Sequence, residues 1–85
     1  VADLAPGEQA LFDALRALRR EVARELSVPP YVVFHDSTLA DMAQRRPRTT
    51  SELTAVRGVG ARKAATFGER FLALIASHGA AAGGA

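Results

Sequence analysis

The residues whose types and spacing most directly specify a chemistry lie in Val56-Arg57-Gly58-Val59-Gly60-Ala61-Arg62-Lys63. A Gly-Val-Gly turn runs straight into paired basic residues that open an apolar-periodic segment. The first turn of a helix has N–H donors without intrahelical partners, and the helix dipole adds partial positive charge there. An anion such as a nucleic-acid phosphate is a natural ligand for Gly60, Arg62 and Lys63. A tight helix-to-helix turn would carry the same glycines, so this stretch alone leaves both readings open. Positive side chains in a first turn oppose the dipole and call for another explanation. Phosphate binding is one; pairing of Lys63 with Glu52 or Glu69, or plain solvation, is the other. Arg57 immediately precedes the turn and can join the same basic group.

Tyr31, the single tyrosine, follows Pro29-Pro30. An aromatic ring on a stiff, exposed connector can stack on an unpaired base, an interaction worth about 1–3 kcal/mol in single-strand binders. The same ring could instead cap the core and leave its hydroxyl in water. Arg16, Arg20 and Arg24 recur at four-residue steps, which aligns three guanidinium groups on one helix face. Asp13, Glu21 and Glu25 stand three or four residues from members of this row, so internal ion pairs are expected. Arg20 and Arg24 still extend a basic track toward Tyr31 as second-tier contacts. Arg45 and Arg46 are accounted for by a helix C-terminus. His35 beside Asp36 reads as a helix start, and His78 is remote from it. With no cysteine, no metal site is expected. No serine, base and orienting acid form a nucleophilic arrangement, and no cofactor is implied.

Helices must position these groups. Leu11, Phe12, Leu15, Leu18, Val22 and Leu26 form one stripe, predicting an amphipathic helix from about Glu8 to Leu26, with Pro6 suited to its start and Pro29-Pro30 barring its continuation. Tyr31-Val32-Val33-Phe34 is rich in β-branched residues, yet no second strand candidate exists to pair with it. An extended or single-turn helical connector that drops Val33 and Phe34 into the core is expected. His35-Asp36-Ser37-Thr38 offers side-chain acceptors for a second helix, whose stripe of Leu39, Met42 and Ala43 ends before Pro47. Thr49-Thr50-Ser51-Glu52 has the capping-box pattern and starts a short third helix to about Val56, ended by Gly58 in a left-handed conformation. A fourth helix is predicted from Gly60 to about Ser77, with Ala64, Phe67, Phe71, Leu74 and Ile75 inward. Gly68 inside it costs about 1 kcal/mol relative to alanine, which predicts a close neighbour. The expected fold is all-α: a compact bundle of four main helices plus the connector, with a helix-hairpin-helix-like turn at 58–60. Residues 1–7 read as a linker, 8–78 as the domain and 79–85 as a disordered tail.

At 85 residues the chain is one domain, and a domain of this size buries only about 60% of the surface its unfolded chain exposes. Its 48% hydrophobic and 24% charged residues are globular in balance. The net charge is only +2, although the pI is about 9.9. Such a chain can still present one basic face, because binding depends on where charge clusters. No apolar run reaches the roughly 18 residues of a membrane span, and no targeting segment is evident.

Pro29-Pro30-Tyr31-Val32-Val33-Phe34-His35-Asp36-Ser37-Thr38-Leu39, followed by Gly58-Val59-Gly60-Ala61-Arg62-Lys63 and Phe67-Gly68, strongly resembles the HRDC (helicase and RNase D C-terminal) domain. The resemblance extends from about Glu8 to His78 and is greatest to the version found in bacterial RecQ DNA helicases. It implies a helical accessory domain without catalysis of its own, binding single-stranded or branched DNA for a helicase core during repair and recombination. It implies single-strand contact by the aromatic at Tyr31 and DNA contact by the lysine at Lys63. It also implies a monomeric module of a cytoplasmic, nucleoid-associated protein, with other repair proteins as further partners. Some family members serve protein contacts instead, and others belong to RNA-processing enzymes of the RNase D type. Both remain alternatives at the level of sequence.

Overall fold

The structure is a computed structural model that describes residues 4–84, with side chains through His78. Five helices follow in order: α1 Pro6–Leu26, α2 Pro30–Val33, α3 Asp36–Arg45, α4 Thr50–Thr54 and α5 Ala61–Gly84. There is no strand among the described residues. The fold is all-α, with four main helices and the single-turn α2 as connector.

Local chemistry accounts for each boundary. Pro6 occupies the first turn of α1, where its missing N–H costs nothing, and the Glu8 carboxylate accepts from the Ala5 N–H at 2.9 Å. Helix α1 therefore begins two residues before the expected Glu8. Of the expected 1–7 linker, residues 1–3 lie outside the described residues, and Leu4 packs against the core. At the other end Ser27 turns left-handed, φ 57°, and the Val28 N–H donates to the Ala23 carbonyl at 3.0 Å. This closure stops α1 before the two prolines. Thr49 accepts from the Glu52 N–H at 3.1 Å, while Glu52 reaches back one residue further than expected, accepting from the Arg48 N–H at 2.8 Å.

Helix α5 does not end near Ser77. It continues through Gly84, where a disordered tail was expected, and only Ala85 of that tail lies outside the described residues. Ala80-Ala81-Ala82 has the strongest intrinsic helix preference, and extending a formed helix requires no new nucleus.

The core joins Leu11, Phe12 and Leu15 of α1, Val33 of α2 and Phe34 just after it, Leu39 and Met42 of α3, Leu53 of α4, and Phe71 and Ile75 of α5. Leu26, placed on the inward stripe from its spacing, is 51% exposed because α1 outruns the core there. Phe34 is the central plug. Its ring meets Phe71 edge-on at 5.0 Å and Phe67 at 5.9 Å, so one residue of the connector segment is gripped by α5. The expected close approach at Gly68 is present: a Cβ there would stand 3.1 Å from Leu53 Cδ2. Glycine is retained at a helix-interior cost because α4 crosses α5 at that point.

Candidate nucleic-acid interface

Helix α2 is one turn long and amphipathic. It buries Val33 and turns Tyr31, 60% exposed, and Val32 to solvent. Tyr31 therefore does not cap the core, and its ring is available. The backbone beneath it is fixed from two sides. From α5 come Phe67 and Phe71 against Phe34. From α1 comes Arg19, whose guanidinium donates to the Phe34 carbonyl at 3.0 Å and pairs with Asp36 at 2.7 Å. Arg19 is only 8% exposed and was missed from sequence, although the signal was present. It follows Leu11 and Leu15 at four-residue steps, which puts a charge on the buried stripe. A buried cation demands partners, and the bend between α2 and α3 supplies them.

The hairpin between α4 and α5 is built by Val56 and Val59, both buried, with the Val59 N–H donating to the Val56 carbonyl at 3.1 Å. Gly58 between them has φ +82°, and a Cβ on it would collide with the Thr38 hydroxyl of α3. Gly58 is thus required by the fold for both conformation and space. Gly60 differs. It lies outside the left-handed region, and a Cβ on it would meet nothing within 4 Å. Only its carbonyl is engaged, accepting from the Ala64 N–H at 3.0 Å as the first hydrogen bond of α5. The backbone at Gly60 is open to solvent, beside the first-turn N–H groups of Ala61, Arg62 and Lys63.

Lys63 is half-buried, and its Nζ stands over the Phe34 ring, 5.7 Å from the centroid. This places the ammonium at the connector that carries Tyr31 three residues earlier. Neither Glu52 nor Glu69 pairs with it among the described residues. Arg62 and Arg57 are exposed. The Arg57 backbone N–H donates to Asp41 at 2.9 Å, which fixes the entrance to the turn and leaves the guanidinium free of ion pairs among the described residues. The Arg16, Arg20 and Arg24 row is exposed, and the ion pairs expected for it are absent among the described residues. Glu25 reaches across to Arg70 of α5 at 2.8 Å instead of pairing along α1, and Arg16 lies over the Phe12 ring at 5.7 Å. No hydrogen bond or ion pair among the described residues joins Arg20 or Arg24 to Tyr31 or Lys63.

Three ion pairs occupy Arg19, Arg45 and Arg70 among the described residues. The side chains of Arg57, Arg62 and Lys63 are not in that set, although the Asp41 carboxylate stands at the entrance to the turn on the Arg57 N–H. No helix among the described residues is long and apolar enough to cross a membrane.

The described residues thus form a small all-α module with an exposed aromatic on a clamped connector and a basic turn at the start of its last helix. The chain belongs to the HRDC domain family, whose model matches residues 8–75. It is 44% identical over 71 residues to the ATP-dependent DNA helicase RecQ of Haemophilus influenzae, covering 84% of this chain and 12% of that protein. It is 41% identical over 75 residues to the RecQ of Pasteurella multocida, covering 88% of this chain and 12% of that protein. Among solved structures it matches the third HRDC domain of Deinococcus radiodurans RecQ. The TM-score is 0.79 at 41% identity, covering 82% of this chain and 92% of that one. The chain thus spans about an eighth of the length of the RecQ proteins it matches.

Proposed function

We propose that this chain is a non-catalytic accessory module of a RecQ-type DNA helicase, holding single-stranded or partly single-stranded DNA weakly and without reading its sequence. The observation that carries the reading is the meeting of the Lys63 ammonium with Phe34, on the same connector that presents Tyr31 to solvent. One unpaired base stacks on Tyr31 while an adjoining phosphate is taken by Lys63, Arg62 and the open backbone at Gly60. Arg57 contributes charge from the near side of the turn, and Arg20 and Arg24 form an outlying track on α1. The absence of carboxylate partners for these cations, among the described residues, favours DNA over a purely protein-docking role.

The module tethers the displaced strand near the helicase core of its parent protein in repair and recombination, with other repair proteins as further partners. It acts as a monomer on the DNA of the bacterial nucleoid. Titration of a fluorescent single-stranded oligonucleotide with the wild type, Tyr31→Ala and Lys63→Glu tests the assignment. Both variants are expected to bind at least fivefold more weakly, the lower edge of a stacking contact of about 1 kcal/mol. Wild-type affinity in both variants would overturn the site.

A further inference from the structure

Four residues after Tyr31, His35 occupies the N-cap position of α3, where a side chain normally accepts a hydrogen bond from the first turn. The acceptor role expected for it from sequence is not realised, because His35 makes no capping bond. Its exposed ring instead lies nearly parallel to that of Tyr31, at an interplanar angle of 24° and a centroid separation of 6.3 Å. That separation is at the loose end of direct aromatic contact. Two stacked layers of roughly 3.4 Å each would set the two centroids about 7 Å apart, so admitting one base between the rings takes only a small outward shift of two exposed side chains. Both rings line an open depression of about 540 Å³ that is also lined by Arg19, Pro30, Asp36 and Ser37.

The charges around this depression select against a phosphate. Arg19 is the only charged cation among its lining residues; its Nη1 is already shared between Asp36 and the Phe34 carbonyl, and its Nε is buried away from solvent. Asp36 is half exposed and presents carboxylate oxygen, which repels an anion and accepts from N–H donors. Ser37 adds a hydroxyl that can accept or donate. Every DNA base carries at least one N–H on its pairing edge, and that edge is free in a single strand.

We infer that Tyr31 and His35 form a two-walled slot for one unpaired nucleobase, with the Asp36 carboxylate and Ser37 hydroxyl meeting its pairing edge. The inference rests on the single-strand reading above and assigns to it a second aromatic wall. The phosphate stays outside, on the Lys63 side. Duplex DNA is excluded because its bases cannot enter without unpairing. All four bases satisfy the slot, so it contributes affinity without sequence preference.

Tyr31 is the only tyrosine and the chain has no tryptophan, so intrinsic fluorescence reports on this slot alone. The protein is titrated with a single-stranded oligonucleotide and with an abasic strand of the same length, which keeps the phosphates but lacks the bases. The normal strand is expected to quench Tyr31, and the abasic strand to leave it bright. His35→Ala should bind the normal strand about fivefold more weakly, and His35→Phe, which restores a ring face, should bind within about twofold of wild type. Both should melt with the wild type, since the imidazole bonds to nothing in the helix start. If His35→Ala binds as wild type while Tyr31→Ala is weakened, the second wall is wrong and the single-strand reading stands. If the abasic strand quenches equally, the slot holds backbone and the inference fails. If the wild type binds neither strand, both readings fall.

Discussion

Gly58 and Gly60 stand two residues apart in one turn, yet their environments predict opposite results for the same substitution. At Gly58, alanine would have to adopt φ +82°, which costs about 1–2 kcal/mol for an L residue with a Cβ. The new methyl would also collide with the Thr38 hydroxyl, and Thr38 is itself buried, so the hairpin or α3 must shift at a further cost of about 1–3 kcal/mol. Reduced freedom of the unfolded chain returns about 0.4–1 kcal/mol. The net loss is about 1–4.5 kcal/mol, or roughly 4–35 °C of melting temperature in a domain this small. At Gly60 the methyl enters open space without a left-handed backbone. The unfolded-state gain there is set against a weaker N-cap, leaving a net change within about 1 kcal/mol of zero. Thermal melts followed by circular dichroism read both effects. Equal shifts for Gly58→Ala and Gly60→Ala would refute the division of the turn into a structural and an open glycine. Oligonucleotide affinity adds the functional half: Gly60→Ala should weaken binding two- to fivefold or so while remaining folded, because a methyl stands where a phosphate approaches the backbone.

Arg19→Ala should cost about 2–4 kcal/mol in denaturant melts, because it strips the buried Phe34 carbonyl of its donor and leaves Asp36 unpaired. Arg19→Lys should recover only part of that loss, since both contacts come from the terminal Nη1 and the ammonium sits on a shorter stem that must reach the same two acceptors. Gly68→Ala should be nearly neutral, its gain in helix propensity set against the 3.1 Å contact with Leu53, whereas Gly68→Val should destabilise by more than 1 kcal/mol or so in the same assay. Arg70→Ala should lower the denaturation midpoint only slightly, because its pair with Glu25 is solvent-exposed. A larger loss would show that the α1–α5 contact depends on that charge.

The helices were legible where periodicity and punctuation agreed. The α1 stripe, the single-turn connector at Pro30–Val33, the Thr49 cap and the left-handed Gly58 all follow from residue types at fixed offsets. What the sequence hid was partner choice. Three arginines beside three carboxylates on α1 suggested pairing along the helix, but Glu25 is positioned to reach Arg70 on α5, and a tertiary contact of that kind leaves no local trace. Arg19 was hidden for the opposite reason: its neighbours Arg16 and Arg20 belong to a solvated row, and only its register with Leu11 and Leu15 sets it apart. His35 shows the limit of propensity at a cap, since its backbone takes the N-cap position while its side chain turns to Tyr31. Lys63 could be placed on the first turn of α5 from sequence, but its approach to Phe34 depends on how α5 packs over the connector.

The central claim is that the hairpin cations neutralise phosphates of a single strand. Its most direct test is the dependence of oligonucleotide affinity on salt. With three to five phosphate contacts, log K should fall against log[salt] with a slope of roughly −2 to −3.5. Raising salt from about 50 to 200 mM should then weaken binding roughly 20- to 130-fold. Lys63→Glu should flatten that slope by about 0.7, the share of one phosphate contact on a single strand. An affinity indifferent to salt, or a slope unchanged in Lys63→Glu, would contradict the account.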